Sequence, residues 1–267
     1  MNRIDAKFKM LRAAKRVAFV PFITAGDPTL ARTRQLVLAL ERAGADIVEL
    51  GVPFSDPLAD GKTNQEAAER ALKHHVTLRD VLGLVREVRR ETQVPLVLYT
   101  YLNLVFQYGF DAFAKDAAAA GVDGVLTLDM PPEEAQPLKT ALDRHGLHTI
   151  FLIAPTSTDE RIAKIAKQAG GFLYYVSLTG VTGERAAVAE DLDENIRRIR
   201  VASPLPIAVG FGVSAPEHVA RIARVADGVV VGSAIVRRVG AGGDTDRMVA
   251  DVEAFVRDLA RPLVARG

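Results

Sequence analysis

The feature that most constrains the fold of this chain is a regular alternation between two kinds of segment. Short runs dominated by Val, Ile, Leu, Phe and Tyr recur eight times, and most of them are continuously apolar. Such runs are typical of strands buried on both faces, as in parallel sheets covered by helices. The eight predicted strands are Val17–Thr24, Ile47–Gly51, Pro95–Thr100, Gly124–Asp129, His148–Ala154, Phe172–Ser177, Pro206–Gly210 and Gly228–Gly232.

Longer stretches with the helical spacing of apolar residues lie between these runs, and a parallel strand pair needs such a crossover helix. The predicted helices are Leu30–Ala43, Leu78–Arg90, Phe110–Ala120, Glu134–His145, Glu160–Ala169, Leu192–Arg200, Pro216–Ala223 and Met248–Ala260. An extra helix over Asn2–Ala14 precedes the first strand, and the Gly-rich stretch Gly240–Asp244 is predicted to be a loop.

Eight strand–helix units in roughly 250 residues are typical of a closed (β/α)8 barrel. The chain of 267 residues is therefore predicted to be an α/β protein, a single (β/α)8 TIM barrel with an extra N-terminal helix. Residues 1–267 are expected to form one catalytic domain. The rival fold, a doubly wound open sheet, would usually carry Gly-x-Gly-x-x-Gly after its first strand, and this motif is absent there.

Composition excludes several classes of function. Lys and Arg number 34 and Asp and Glu 33, so the net charge of +1 supports neither nucleic acid nor a membrane surface as partner. The absence of Cys excludes disulfides, thiol catalysis and Cys-ligated zinc. No apolar run approaches the roughly 20 residues of a membrane helix. Since Met1–Met10 also lacks the apolar centre of a secretory signal, the predicted location is the cytoplasm.

Glu49 is the leading candidate for a catalytic residue. Active sites of barrels lie at the carboxyl ends of the strands, and Glu49 stands there inside an apolar strand. A buried salt bridge is the alternative, but no predicted strand contains Lys or Arg. Desolvation is therefore expected to raise its pKa toward the range of a general acid or base. Asp60, in the long loop Pro53–Gly61, is expected to face the same cavity, although such a loop also fits plain turn chemistry.

Small residues follow the last three strands, in Gly180–Gly183, Gly210–Gly212 and Gly232–Ser233. Gly lets backbone N–H groups approach a ligand, and the loops after strands seven and eight are the recurrent phosphate site of barrels. Each cluster alone fits a turn, but together they predict a phosphate site. The five His show no metal-ligand spacing, so no metal is predicted, and neither a Schiff-base Lys nor a Gly-x-Ser-x-Gly motif is present.

Two long segments, Val20–Pro28 and Glu49–Gly61, closely resemble the tryptophan synthase alpha chain family, and so do shorter motifs spread in order along the chain. The resemblance implies cleavage of indole-3-glycerol phosphate to indole and glyceraldehyde 3-phosphate, a retro-aldol reaction without Schiff base or metal. It implies no cofactor on this chain. It also implies an α2β2 complex with a beta subunit that carries pyridoxal phosphate, contacts the chain near Pro53–Asp56 and receives the indole through a tunnel.

The same resemblance assigns roles to single residues. Glu49 matches the glutamate that shuttles protons, and Asp60 matches the aspartate that accepts the indole N–H and stabilises the positive charge of the ring. The residues matching the phosphate cradle are Gly183, Phe211, Gly212, Gly232 and Ser233. The residues matching the walls of the indole pocket are Phe22, Leu126 and Tyr174, although Phe22 and Leu126 also fit plain core positions. Thr182 matches the threonine of a mobile loop that closes over the site.

Two places depart from the pattern of the family. Lys62–Gln65 stands where Pro, Thr or Val, Ile and Gln are usual. Lys62 gives up a Pro that preorganises a helix start and is expected to put a cation close to Asp60. Tyr99 stands where Met or Leu is usual, and it is expected to narrow the indole pocket or to donate a hydrogen bond.

Three other functions remain open at this point. A stand-alone lyase that releases free indole would use the same residues. A non-catalytic module that docks on the beta subunit and activates it would not need an unpaired buried Glu49. A phosphosugar isomerase fits the phosphate clusters but leaves the loop Pro53–Gly61 unexplained.

Overall fold

The computed structural model describes residues 1–176, 187–210 and 212–263. Its eight strands are all parallel, pair in chain order and close when the last pairs with the first, which confirms the predicted (β/α)8 barrel. The strands are β1 (Ala18–Thr24), β2 (Val48–Gly51), β3 (Leu96–Thr100), β4 (Gly124–Thr127), β5 (His148–Ile153), β6 (Leu173–Val176), β7 (Ile207–Gly210) and β8 (Gly228–Val231). Each lies within one of the predicted runs.

Twelve α-helices lie in the described part of the chain, more than the sequence predicts. The predicted ones are α1 (Arg3–Ala13), α2 (Leu30–Arg42), α4 (Leu78–Val88), α6 (Phe110–Ala120), α7 (Gln136–Arg144), α8 (Asp159–Gln168), α9 (Ala187–Ala202), α10 (Pro216–Ile222) and α12 (Asp246–Ala260). The additional ones are α3 (Lys62–Leu72), α5 (Leu102–Tyr108) and α11 (Ser233–Gly242). Among the helices described, none combines the length and the apolar character needed to cross a membrane.

The predicted loop Gly240–Asp244 is wrong for its first three residues, because α11 continues to Gly242. The glycines there serve close packing between helices. A Cβ on Gly240 would lie 2.7 Å from the guanidinium of Arg70, and one on Gly242 would lie 2.5 Å from the Met248 side chain. The turn itself begins at Gly243, whose φ of 62° favours glycine.

Helix α1 closes the amino-terminal end of the barrel. Ile4, Phe8 and Leu11 are buried and belong to one apolar cluster with the side chains that fill the barrel interior. The ring of Phe8 lies 5.8 Å from that of Phe172, which directly precedes β6. Because this end is plugged, a ligand has to approach the barrel from the carboxyl end of its strands.

Buried carboxylates at the plugged end all have cationic partners. Asp123, just before β4, accepts a hydrogen bond from Arg89 at 2.6 Å and one from Arg3 at 2.9 Å. Asp46, just before β2, accepts one from the backbone N–H of Phe19. Lys7 lies 3.6 Å from the Asp46 carboxylate and Arg16 lies 3.8 Å from it. These pairs bind α1 and the helix ends to the strands, so they have a structural role.

Candidate active site

A cavity of about 370 Å³ opens at the carboxyl end of the barrel. Its walls come from strand ends, from the loop before α3 and from the start of α11. The lining residues include Phe22, Glu49, Asp60, Asn64, Tyr99, Leu128, Leu152, Tyr174, Gly212, Ser214, Gly232, Ser233 and Arg237. The cavity thus brings together most of the described residues that the sequence analysis singled out.

Glu49 is fully buried in the wall of this cavity. It lies on β2 in register with Phe22 of β1 and Val97 of β3, and it lines the cavity with Phe22. Neither carboxylate oxygen has a hydrogen-bond partner among the described residues. Burial raises the pKa of Glu49 to about 8, in the direction that the sequence predicts. At neutral pH the group is therefore mostly the neutral acid, which is ready to give a proton.

The salt bridge considered as an alternative for Glu49 is not formed with any described residue. Asp27, just after the carboxyl end of β1, is a buried carboxylate that, unlike Glu49, has a cationic partner. Arg70 binds it through two hydrogen bonds of 2.8 Å each, and this pair joins α3 to the loop after β1. Buried carboxylates that hold this structure together are paired, and Glu49 is not.

Asp60 faces the same cavity in a different environment. Its Oδ2 accepts a hydrogen bond of 2.7 Å from the hydroxyl of Tyr101. Its Oδ1 accepts one of 3.1 Å from the Tyr99 hydroxyl and one of 3.3 Å from the Asn64 amide. The pKa of Tyr101 is raised by burial first, and then by its hydrogen bond to Asp60 and by the Asp60 charge. The pKa of Tyr99 is raised by burial and by the Asp60 charge. Both tyrosines therefore stay neutral donors.

Lys62 forms no ion pair with the Asp60 carboxylate among the described residues. The Lys62 ammonium turns outward, is 90% exposed and lies 3.9 Å from Glu66 one helical turn further on. Lys62 is the first residue of α3, after Gly61 at the N-cap, and its side chain leaves the helix on the solvent side. The described donors to the Asp60 carboxylate are consequently neutral groups.

The apolar part of the cavity is built from aromatic and leucine side chains. Phe22 and Tyr99 pack edge to face with their ring centroids 4.8 Å apart. Tyr174 is partly buried and also lines the cavity. A Cβ on Gly210 would lie 2.4 Å from the Tyr174 hydroxyl oxygen, so this glycine makes room for the ring. Leu126 is fully buried in the barrel interior and does not line the cavity.

The predicted phosphate residues that are described lie together at one side of the cavity. Gly232 is the N-cap of α11, Ser233 is its first residue, and Gly212 follows β7 with a φ of 66°. The first N–H groups of a helix have no partner within it, and its dipole favours an anion there. The remaining predicted site residues, Thr182, Gly183 and Phe211, lie outside the described residues.

Sequence reasoning missed three polar residues of the cavity, Asn64, Ser214 and Arg237. Arg237 lies one turn after Ser233 and lines the cavity, as does Asn64 in the first turn of α3. Asn64 and Arg237 lie on helices that were not predicted from the sequence. The spacing of four residues between Ser233 and Arg237 is the signal that would have placed them on one face, had α11 been recognised. Within the described ranges, no group of His, Asp and Glu is arranged to hold a metal ion.

The barrel, the two carboxylates in unlike surroundings and the helix N-terminus define a class of protein. It is a (β/α)8-barrel enzyme that performs acid–base chemistry on a small anionic substrate. The model of the tryptophan synthase alpha chain family matches residues 8–263, and this chain belongs to that family. The members of the family are lyases that cleave indole-3-glycerol phosphate.

Individual relatives agree with this assignment. The tryptophan synthase alpha chain of Citrifermentans bemidjiense is 56% identical over 237 residues, which are 89% of each chain. That of Solibacter usitatus is 48% identical over the whole of both chains. Among solved structures, the alpha subunit from Legionella pneumophila strain Paris has a TM-score of 0.90 at 38% identity and 98% coverage of both chains. A chain of Mycobacterium tuberculosis tryptophan synthase has a TM-score of 0.89 at 39% identity, with 99% of each chain covered.

Proposed function

We propose that this chain cleaves indole-3-glycerol phosphate to indole and glyceraldehyde 3-phosphate in tryptophan biosynthesis, as one catalytic domain over residues 1–267. The observation that carries the proposal is that one cavity contains both Glu49, which is neutral and has no hydrogen-bond partner, and Asp60. An enzyme that both gives and takes a proton needs a group whose pKa lies near the working pH.

Glu49 carries the proton through the reaction. Its acid form gives a proton to carbon 3 of the indole ring and produces an indoleninium ion. The resulting carboxylate then takes the proton of the adjacent glycerol hydroxyl as the bond from the ring to the glycerol chain breaks. The bonding electrons return to the ring and neutralise its nitrogen, the hydroxyl carbon becomes the aldehyde, and Glu49 regains its proton.

Asp60 supports the same step electrostatically. Its carboxylate lies at the cavity wall, held by neutral donors, so its negative charge is not cancelled by a described cation. It accepts the indole N–H and stabilises the positive charge that develops on the ring. Charge that is already in place when the reaction begins is the kind of stabilisation that contributes most to catalysis.

The phosphate of the substrate binds at the start of α11. The free N–H groups after Gly232, the Ser233 hydroxyl and Gly212 form the described part of the cradle, and Arg237 adds a positive charge one turn further on. Gly183 and Phe211 complete the cradle in this proposal, and Thr182 belongs to the segment that covers the substrate. The aromatic walls formed by the remaining cavity residues enclose the indole ring.

The chain works without a metal ion or a cofactor of its own, because every group that this mechanism uses is a side chain or a backbone amide. Pyridoxal phosphate belongs to the partner. This partner is a tryptophan synthase beta subunit, in an α2β2 complex in the cytoplasm that passes indole from one subunit to the other.

The loop before α3 is the proposed contact with that subunit. It includes Pro53–Asp56, and Leu58 is 91% exposed. The same loop reaches the site, because the backbone N–H of Ala59 donates to the Tyr101 hydroxyl at 3.1 Å and Tyr101 donates to Asp60. Binding of the beta subunit to this loop would therefore act directly on the position of Asp60.

Indole release from indole-3-glycerol phosphate tests the proposal, measured with the purified chain alone and with a beta subunit added. We expect slow release that rises strongly with the beta subunit. Fast release that the beta subunit leaves unchanged would favour the stand-alone lyase. The absence of release in both cases, from a chain that still activates the beta subunit, would favour the regulatory module.

A further inference from the structure

Two side chains from different elements converge on one oxygen of Asp60. Tyr99 lies on β3 and Asn64 in the first turn of α3, and both donate to Oδ1. Neither residue is the one usually found at its position in the tryptophan synthase alpha chain family. The family pattern would place apolar side chains at both positions, and here the two polar replacements meet at one atom.

Both donors are held firmly. The ring of Tyr99 packs edge to face against that of Phe22, and its side chain is partly buried. Asn64 lies on a helix whose first turn is anchored by Gln65, which donates to the backbone carbonyl of Asp60 at 2.8 Å. Arg70, further along α3, holds the helix against the loop after β1. The two donors therefore fix Oδ1 between a strand and a helix.

Counting acceptor positions shows what this leaves for a ligand. A carboxylate offers about four, two on each oxygen. Two donors occupy Oδ1 and one, Tyr101, occupies Oδ2, so one position remains free, on Oδ2. The Asn64 oxygen is also buried without a partner among the described residues, and Asn64 lines the cavity.

We propose that Tyr99 and Asn64 are positioning residues that together hold Oδ1 of Asp60, so that the carboxylate presents Oδ2 to the N–H of the bound indole ring. The inference rests on the proposed function. Its expected consequence is kinetic, because a fixed carboxylate stabilises the developing ring charge more than it stabilises the ground state.

The test compares Tyr99→Phe, Asn64→Leu and the double variant, which remove the donors and keep the side-chain volumes. In each single variant we expect kcat for indole release to fall about 10-fold while KM stays within about 2-fold of the wild-type value. We expect the double variant to lose less than the product of the two single losses, because the first substitution already frees the oxygen.

Tyr108→Phe is the matched control. It removes a tyrosine–carboxylate hydrogen bond of 2.7 Å, to Asp116, from the surface of the barrel. We expect a small change of the unfolding midpoint and an unchanged kcat. Binding of indole-3-propanol phosphate, which cannot be cleaved, is measured for every variant to separate ligand affinity from turnover.

Three outcomes would overturn the inference while the proposed function stands, namely variants with the wild-type kcat, strictly multiplicative losses, and losses of kcat that follow the fall in unfolding midpoint. A wild-type chain that neither binds indole-3-propanol phosphate nor releases indole would instead overturn the proposed function itself. The two failures are therefore distinguishable.

Discussion

At the scale of single residues, the surroundings of two carboxylates separate their chemistry. Glu49 is fully buried and has no described hydrogen-bond partner, so its neutral form is favoured near neutral pH. Asp60 has three neutral donors, which suit a charged carboxylate. One cavity thereby holds a proton donor and a fixed negative charge, the division of roles that acid–base catalysis on one substrate requires.

The raised pKa of Glu49 makes a prediction for stability. Its pKa is about 8 in the folded chain and has its ordinary value, 4.5, in the unfolded chain, so between these values the folded state binds more protons. The contribution of Glu49 to the unfolding free energy is thus full below about pH 4.5. It is lost by about 1.4 kcal/mol per pH unit as the pH rises to 8.

The measurement is urea unfolding of the wild type and of Glu49→Gln at several pH values in this window. Since all other groups titrate in both proteins, the difference isolates Glu49. We expect the stability of the variant relative to the wild type to increase with pH and to level off above pH 8. Glu87→Gln, on the exposed side of α4, controls for the substitution itself. A difference independent of pH would show that Glu49 is not a buried neutral acid.

At the scale of elements, the sequence predicts the barrel strands well and some helices poorly, for a physical reason. Strands buried on both faces carry continuous apolar runs that little else produces. Helix α3, in contrast, buries only the small side chains of Ala67, Ala68 and Ala71, so its apolar face is weak. Helix α11 contains glycines that resemble a loop. Glu49 and Asp60 were predictable, but Asn64 and Arg237 were not, because they depend on these two helices.

The start of α11 allows a prediction that separates binding from stability. Ser233→Asp places a negative charge where the helix dipole favours it, so the unfolding midpoint should not fall. The same charge repels the phosphate of the substrate, and we expect KM to rise at least about 100-fold. Thr245→Asp, at the N-cap of α12 and away from the cavity, is the control and should leave KM unchanged. An unchanged KM in Ser233→Asp would mean that the phosphate binds elsewhere.

At the scale of the whole molecule, stability and chemistry lie at opposite ends of the barrel. The plugged end holds α1 and two paired buried carboxylates, Asp46 and Asp123, while the open end holds the unpaired Glu49. Phe8→Ala removes the largest side chain of the plug, and we expect a loss of about 3–5 kcal/mol in the free energy of unfolding. The kcat of folded Phe8→Ala should stay within about 2-fold of the wild-type value.

Met10→Ala, on the exposed side of the same helix, is the control for the Phe8 variant and should leave both quantities close to wild type. Activity measured well below the unfolding transition, together with urea unfolding, supplies both values. A strong loss of kcat in folded Phe8→Ala would show that the two ends of the barrel are coupled.

The central claim is that Glu49 carries the proton in the cleavage of indole-3-glycerol phosphate. The most direct test is indole release by the wild type and by Glu49→Gln, each with a beta subunit present, together with binding of indole-3-propanol phosphate. We expect the variant to bind the analogue with affinity close to wild type and to lose at least about 10³-fold in kcat, because one group supplies both proton transfers. Release by Glu49→Gln at a rate close to that of the wild type would contradict the claim.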